Sequence, residues 1–151
     1  MITLQEHKER RTRLLDALRE REPAPVALLQ GAPKPSAHVR FRQYNDFHYL
    51  CPVEAPHAYL VLDGRDGDRT HLFVPYQPEH RLKAGGRIAS ASDPEHAKRE
   101  TGVDEVHGLD ELAAFLERVR ALHTPMRRGE GAHGRGERGV PAGEIISMID
   151  A

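Results

Sequence analysis

Two short apolar runs, Tyr59-Leu60-Val61-Leu62 and His71-Leu72-Phe73-Val74, flank the segment Asp63-Gly64-Arg65-Asp66-Gly67-Asp68. No other stretch constrains the fold as much. Glycine tolerates the positive φ that a tight reversal requires, and aspartate side chains bond nearby backbone N–H groups. The two runs are therefore expected to pair as an antiparallel hairpin. Asp63, Asp66 and Asp68 do not make an EF-hand-type calcium loop, which needs further oxygen ligands and a distal glutamate.

The segments around the hairpin supply helices and further strands. Thr3 and Glu6 have the spacing of a capping box. A helix is expected from there to about Arg21, with Leu4, Leu14, Leu15 and Leu18 facing inward, and Pro23 and Pro25 end it. Val26-Ala27-Leu28-Leu29 reads as a buried strand. Past the hairpin, Ser92-Asp93-Pro94-Glu95 starts a second helix and Gly102 stops it. Val103 to His107 forms a short strand. A third helix begins at Asp110, carries the stripe Leu112, Phe115, Leu116, Val119 and Leu122, and ends at Pro125. A strand–helix–strand passage permits parallel pairing at one edge of the sheet. The expected fold class is α/β, one domain over residues 1–125 with a mixed β-sheet and packed helices.

The stretch Phe41-Arg42-Gln43-Tyr44-Asn45-Asp46-Phe47-His48-Tyr49-Leu50 holds two of the four phenylalanines and two of the four tyrosines. Val39 and Phe41 alternate with His38, Arg40 and Arg42, which predicts a half-buried strand. Tyr44-Asn45-Asp46 reads as a turn, and Phe41, Phe47 and Tyr49 as core. Arg40, Arg42 and Asp46 are the candidate substrate-binding residues, because such groups hold a ligand's carboxylate or phosphate. The same charges also serve as ordinary surface pairs, the commoner fate of surface charge.

Composition limits the other classes of function. The net charge of −1 gives no general attraction to nucleic acid or to a membrane surface. No apolar run approaches the roughly 18 residues of a membrane span. Cys51 is the single cysteine, so an internal disulfide is impossible and a cytoplasmic setting is the simplest inference. Beside Pro52 and after an apolar run, Cys51 reads as a small core residue rather than a nucleophile. The ten histidines include His38, His48, His57 and His71 on predicted strands, in no recognised metal-ligand spacing. From residue 126 to 151 the composition shifts. Glycine and arginine dominate up to Gly143, and a small apolar patch follows at Ile145, Ile146, Met148 and Ile149. That tail is expected to be a flexible linker. RNA binding through it is the less favoured alternative, because Glu130 and Glu137 interrupt the arginines and no aromatic lies among them.

Several of these motifs together resemble the N-terminal domain of the aminopeptidase P and prolidase family, the Xaa-Pro peptidases related to creatinase. The similarity covers about residues 5–125. It rests on the Arg-rich helix segment Lys8-Glu9-Arg10-Arg11-Thr12-Arg13-Leu14-Leu15 and on Arg42-Gln43-Tyr44-Asn45-Asp46-Phe47-His48-Tyr49-Leu50. It continues through Glu54-Ala55-Pro56-His57-Ala58-Tyr59-Leu60-Val61-Leu62, Leu72-Phe73-Val74-Pro75 and Gly102-Val103-Asp104-Glu105-Val106. Two departures stand out: Cys51-Pro52 replaces the family's Thr-Gly, and Ala84-Gly85-Gly86 replaces a Trp-x-Gly. The resemblance implies a creatinase/aminopeptidase P N-terminal-like fold. It further implies a role beside a catalytic domain of pita-bread fold, which carries manganese or another divalent metal pair on two Asp, a His and two Glu. The chain itself is then expected to hold no cofactor and to lack that catalytic half. Its expected partner is that domain, in cis or in trans, or a second copy of the chain. The alternative function is a freestanding interaction module.

Overall fold

The computed structural model describes residues 2–77 and 89–126, and the backbone of 140–141. The first helix, α1, spans Leu4–Arg19 and opens on the expected capping box: the Thr3 hydroxyl accepts from Glu6 N at 3.1 Å and Glu6 Oε2 accepts from Thr3 N at 2.8 Å. Its inward stripe differs from the expected one. Leu14, Leu15 and Leu18 are buried, but the first turns bury His7 and Arg11, and Leu4 is left 40% exposed.

The central sheet contains β1 (Val26–Gln30), β2 (Tyr59–Asp63), β3 (Arg69–Val74) and β4 (Glu105–Gly108), in that spatial order. β2 and β3 form the expected hairpin, antiparallel with Asp63 opposite Arg69, and β1 adds antiparallel to β2. The second helix of the sequence reading, Pro94–Thr101, carries the chain back so that β4 lies parallel to β3. Its N-cap Asp93 accepts from His96 N at 3.2 Å, and Gly102 ends it at φ 71°. The α/β class and the mixed sheet are as expected.

Both faces of the sheet are covered, which explains the near-continuous apolar runs. Leu60, Leu62, Leu72 and Val74 point to the α1 side with Leu14, Leu18 and Phe47. Val26, Val61 and Phe73 point the other way, toward Leu112, Phe115 and Val119. Successive strand residues thus serve opposite cores, as the pleat requires.

The third helix is shorter than its stripe. A 3₁₀ turn, Leu109–Glu111, precedes an α-helix at Leu112–Glu117. Beyond it the bonds tighten to Arg118 N–Phe115 O and Val119 N–Leu116 O, and Leu122 is exposed. The chain leaves the helix because His123 is drawn onto β1: its N–H donates to the Val26 carbonyl at 2.9 Å, and its carbonyl accepts from Leu28 N at 2.8 Å.

The largest correction concerns the aromatic stretch. Residues 40–44 form no strand, and Val39 is 60% exposed. Asn45–Leu50 is a helix, α2, with Tyr44 as N-cap, where a turn was expected. His48 N donates to Tyr44 O and Cys51 N to Phe47 O, each at 2.9 Å. Phe47 and Leu50, three residues apart, share its buried face, whereas Phe41 and Tyr49 are only half-buried.

Pro125–Met126 and Val140–Pro141 form a two-residue parallel pair. The rest of the expected linker at 126–143, the apolar patch at 145–149, and Ala84-Gly85-Gly86 lie outside the described residues. Among the described residues no helix is long and apolar enough to cross a membrane.

Candidate functional site

The candidate site is a cleft of about 540 Å³ between the start of α1, the segment leading into α2, and α2 itself. Arg40 and Arg42 both line it, with Arg10, His48, Tyr49 and Glu54. The third sequence candidate does not. Asp46 is only 4% exposed, and its Oδ1 accepts from Phe47 N at 2.7 Å within the first turn of α2.

Gln43 explains how a segment without regular structure holds its shape. Its side chain, next to Arg42 in the chain, is buried and substitutes for a sheet ladder. Oε1 accepts from Ala32 N at 2.7 Å and from Tyr44 N at 3.1 Å, and Nε2 donates to the Val53 carbonyl at 3.0 Å. Buried polar groups must be paired, and one amide here pairs three backbone groups from three loops. With Gln43 held inward, Arg40 and Arg42 stay exposed on the cleft side.

Arg10 was missed by sequence reasoning because it lies on α1, 39 residues from its partner. It donates to the Tyr49 carbonyl at 3.1 Å, and its guanidinium carbon sits 3.9 Å above the Tyr49 ring. Stacking and a hydrogen bond together fix this side chain. His7 Nδ1 lies 3.0 Å from the same carbonyl oxygen. Arg11, one residue on, points into the protein. It donates to the carbonyls of Leu50 at 2.9 Å and Gly102 at 3.2 Å, so it ties α1 to two chain reversals. The signal was legible as spacing: His7, Arg11, Leu14 and Leu18 continue one helical stripe, although two of its members are polar.

Cys51 is fully buried, and burial pushes its thiol up to about 12, with Arg11 opposing weakly. At neutral pH it is a thiol without nucleophilic character, a core residue as read from sequence. The histidines do not converge. His38 is exposed, His48 lines the cleft, His57 Nε2 accepts from Lys34 N at 3.3 Å, and His71 Nδ1 lies 3.0 Å from His107 Nε2. Burial, and next the His107 imidazole, hold the pKa of His71 below its ordinary value. Among the described residues no three His, Cys, Asp or Glu side chains come together as a metal-binding group.

Comparison with known proteins agrees with the fold. The family model described as the aminopeptidase P N-terminal domain matches residues 7–125. Human Xaa-Pro dipeptidase is 34% identical over 114 residues, which cover 70% of this chain and 22% of that protein. Mouse Xaa-Pro aminopeptidase 3 is 37% identical over 87 residues, 54% of this chain and 16% of that protein. Among solved structures, E. coli aminopeptidase P with the inhibitor Pro-Leu superposes with a TM-score of 0.68 at 23% identity, covering 99% of this chain and 33% of that one. Proline aminopeptidase P II from Yersinia pestis gives a TM-score of 0.65 at 24% identity, covering 98% and 33%. The chain thus spans about a fifth of the length of these dipeptidase and aminopeptidase relatives.

Proposed function

The chain belongs to the family of aminopeptidase P N-terminal domains, and from that premise we propose that it is the non-catalytic domain of a Xaa-Pro aminopeptidase- or prolidase-like metallopeptidase. In this reading it packs against a catalytic domain of pita-bread fold, in cis or in trans. It narrows the access to that domain's cleft and contributes to subunit contacts. The divalent metal pair, manganese or another, resides in the catalytic domain and activates water there.

The observation that carries this reading is the family-model match over residues 7–125. A second copy of the chain is the alternative partner, favoured by β4, which ends the sheet and has no strand on its outer side among the described residues.

The test is association. The chain is mixed with a separately produced pita-bread domain of an Xaa-Pro peptidase and followed by light scattering. A complex in the mixture, or a defined oligomer of the chain alone, is the expected result. A chain that stays monomeric both alone and in the mixture refutes the reading.

A further inference from the structure

Arg40 and Arg42 share one cleft with Arg10. The protein carries 23 acidic residues against 22 Lys and Arg, enough to pair most cations. Some surface arginines are paired: Arg19 with Asp16 and Asp68, Arg65 with Asp63 at 2.9 Å, and Arg69 with Glu105 at 3.7 Å. Arg40 and Arg42 make no ion pair or hydrogen bond among the described residues. They face one cleft with a third guanidinium, Arg10, whose partner is a carbonyl and not a carboxylate. Glu54 is the one acidic residue of the lining. Three guanidiniums against one carboxylate make a concave surface of positive potential, and concavity strengthens such a field.

Its construction is that of a binding surface. Gln43, directly after Arg42, anchors this segment through three hydrogen bonds. Arg10 is pinned on Tyr49, so little side-chain freedom is lost when it meets a ligand. His48 and Asn45 add polar groups, and Phe41 and Tyr49 add aromatic surface. Guanidinium forks match the paired oxygens of carboxylates and phosphates.

We propose that this cleft is an oxyanion site, in which Arg40, Arg42 and Arg10 receive a carboxylate or phosphate group and the Phe41 and Tyr49 rings flank the apolar part of the ligand. The site acts by binding alone and needs no catalytic partner. It thus goes beyond the docking role, and its failure would leave that role untouched.

The test is calorimetric titration of the full 151-residue chain at low salt. The probes are inorganic phosphate, a short peptide with a free C-terminal carboxylate, and the same peptide amidated. The expected result is saturable binding of phosphate or of the free-acid peptide. Arg40→Gln and Arg42→Gln should each weaken it by about tenfold or more, the scale of one charge-assisted contact. Arg99→Gln, on an exposed position outside the cleft, should leave it unchanged. The tighter of the two probes names the natural class of ligand. The proposal is overturned if neither oxyanion saturates, or if Arg99→Gln weakens binding as much as Arg40→Gln. It is also overturned if the amidated peptide binds as tightly as the free acid while phosphate does not bind.

Discussion

Replacing Gln43 with alanine tests how the cleft is built. The side chain makes three hydrogen bonds, to Ala32 N at 2.7 Å, Tyr44 N at 3.1 Å and the Val53 carbonyl at 3.0 Å. It is 7% exposed, so water does not readily replace it. A net hydrogen bond contributes about 1 kcal/mol, and a buried group left unpaired costs about 1–3 kcal/mol. Two of the three bonds are buried, which puts the expected loss at about 3 kcal/mol. In urea, with a slope of about 2 kcal/mol per molar, the midpoint should fall by about 1.5 M with the slope unchanged. The assay is equilibrium urea unfolding followed by circular dichroism. A midpoint shift below about 0.3 M would refute the reasoning, since it would mean water satisfies these groups as well as the amide does. In the folded fraction of the variant, the amide resonances of residues 40–44 should move more than those of the sheet.

Three further outcomes are expected. Stability should fall as pH drops below about 6.5. Burial, followed by the His107 imidazole, depresses the His71 pKa from 6.5, while Asp63 and Glu105 act against this and Arg69 with it. The unfolded chain then binds the proton before the folded one does, so stability rises with pH through that window. His71→Gln should flatten the pH dependence of the melting temperature, although His7, also depressed mainly by burial, keeps part of it. Cys51 should resist thiol reagents in the native protein at pH 7–8, because its thiol is buried and raised to about 12, and react fully in denaturant; fast native labelling would contradict this. Gly102→Ala should cost about 1–2 kcal/mol, because its φ of 71° is the left-handed conformation that a Cβ disfavours; an unchanged urea midpoint would contradict that cause.

The sequence and the fold agree where one periodic pattern had one physical cause. The β2–β3 hairpin, the cap at Asp93 and the stop at Gly102 were legible because turn and cap chemistry is local. Alternation at 38–42 misled, because a period-2 pattern predicts a strand only if the backbone finds a ladder. Here the Gln43 side chain takes the backbone partner instead, through Ala32 N. The spacing of Phe47 and Leu50 already carried α2, but Asn45 and Asp46 suit a turn and a helix start equally well. The third helix was overextended because its apolar stripe gives no warning that His123 must reach β1. Of the site, Arg40 and Arg42 could be named from their local charge pattern. Arg10 could not, since its place opposite Tyr49 is set by how α1 docks on α2. Asp46 looked like a site residue only while its backbone was read as a surface turn.

In the proposed role this chain supplies shape and contacts while the chemistry belongs to another domain. The most direct measurement is hydrolysis of an Xaa-Pro-Yaa peptide by the purified 151-residue chain with Mn²⁺, read by release of the N-terminal residue. The predicted result is no release above the metal-only blank at any concentration of the chain. Release that scales with the chain's concentration and vanishes on chelation would contradict the account.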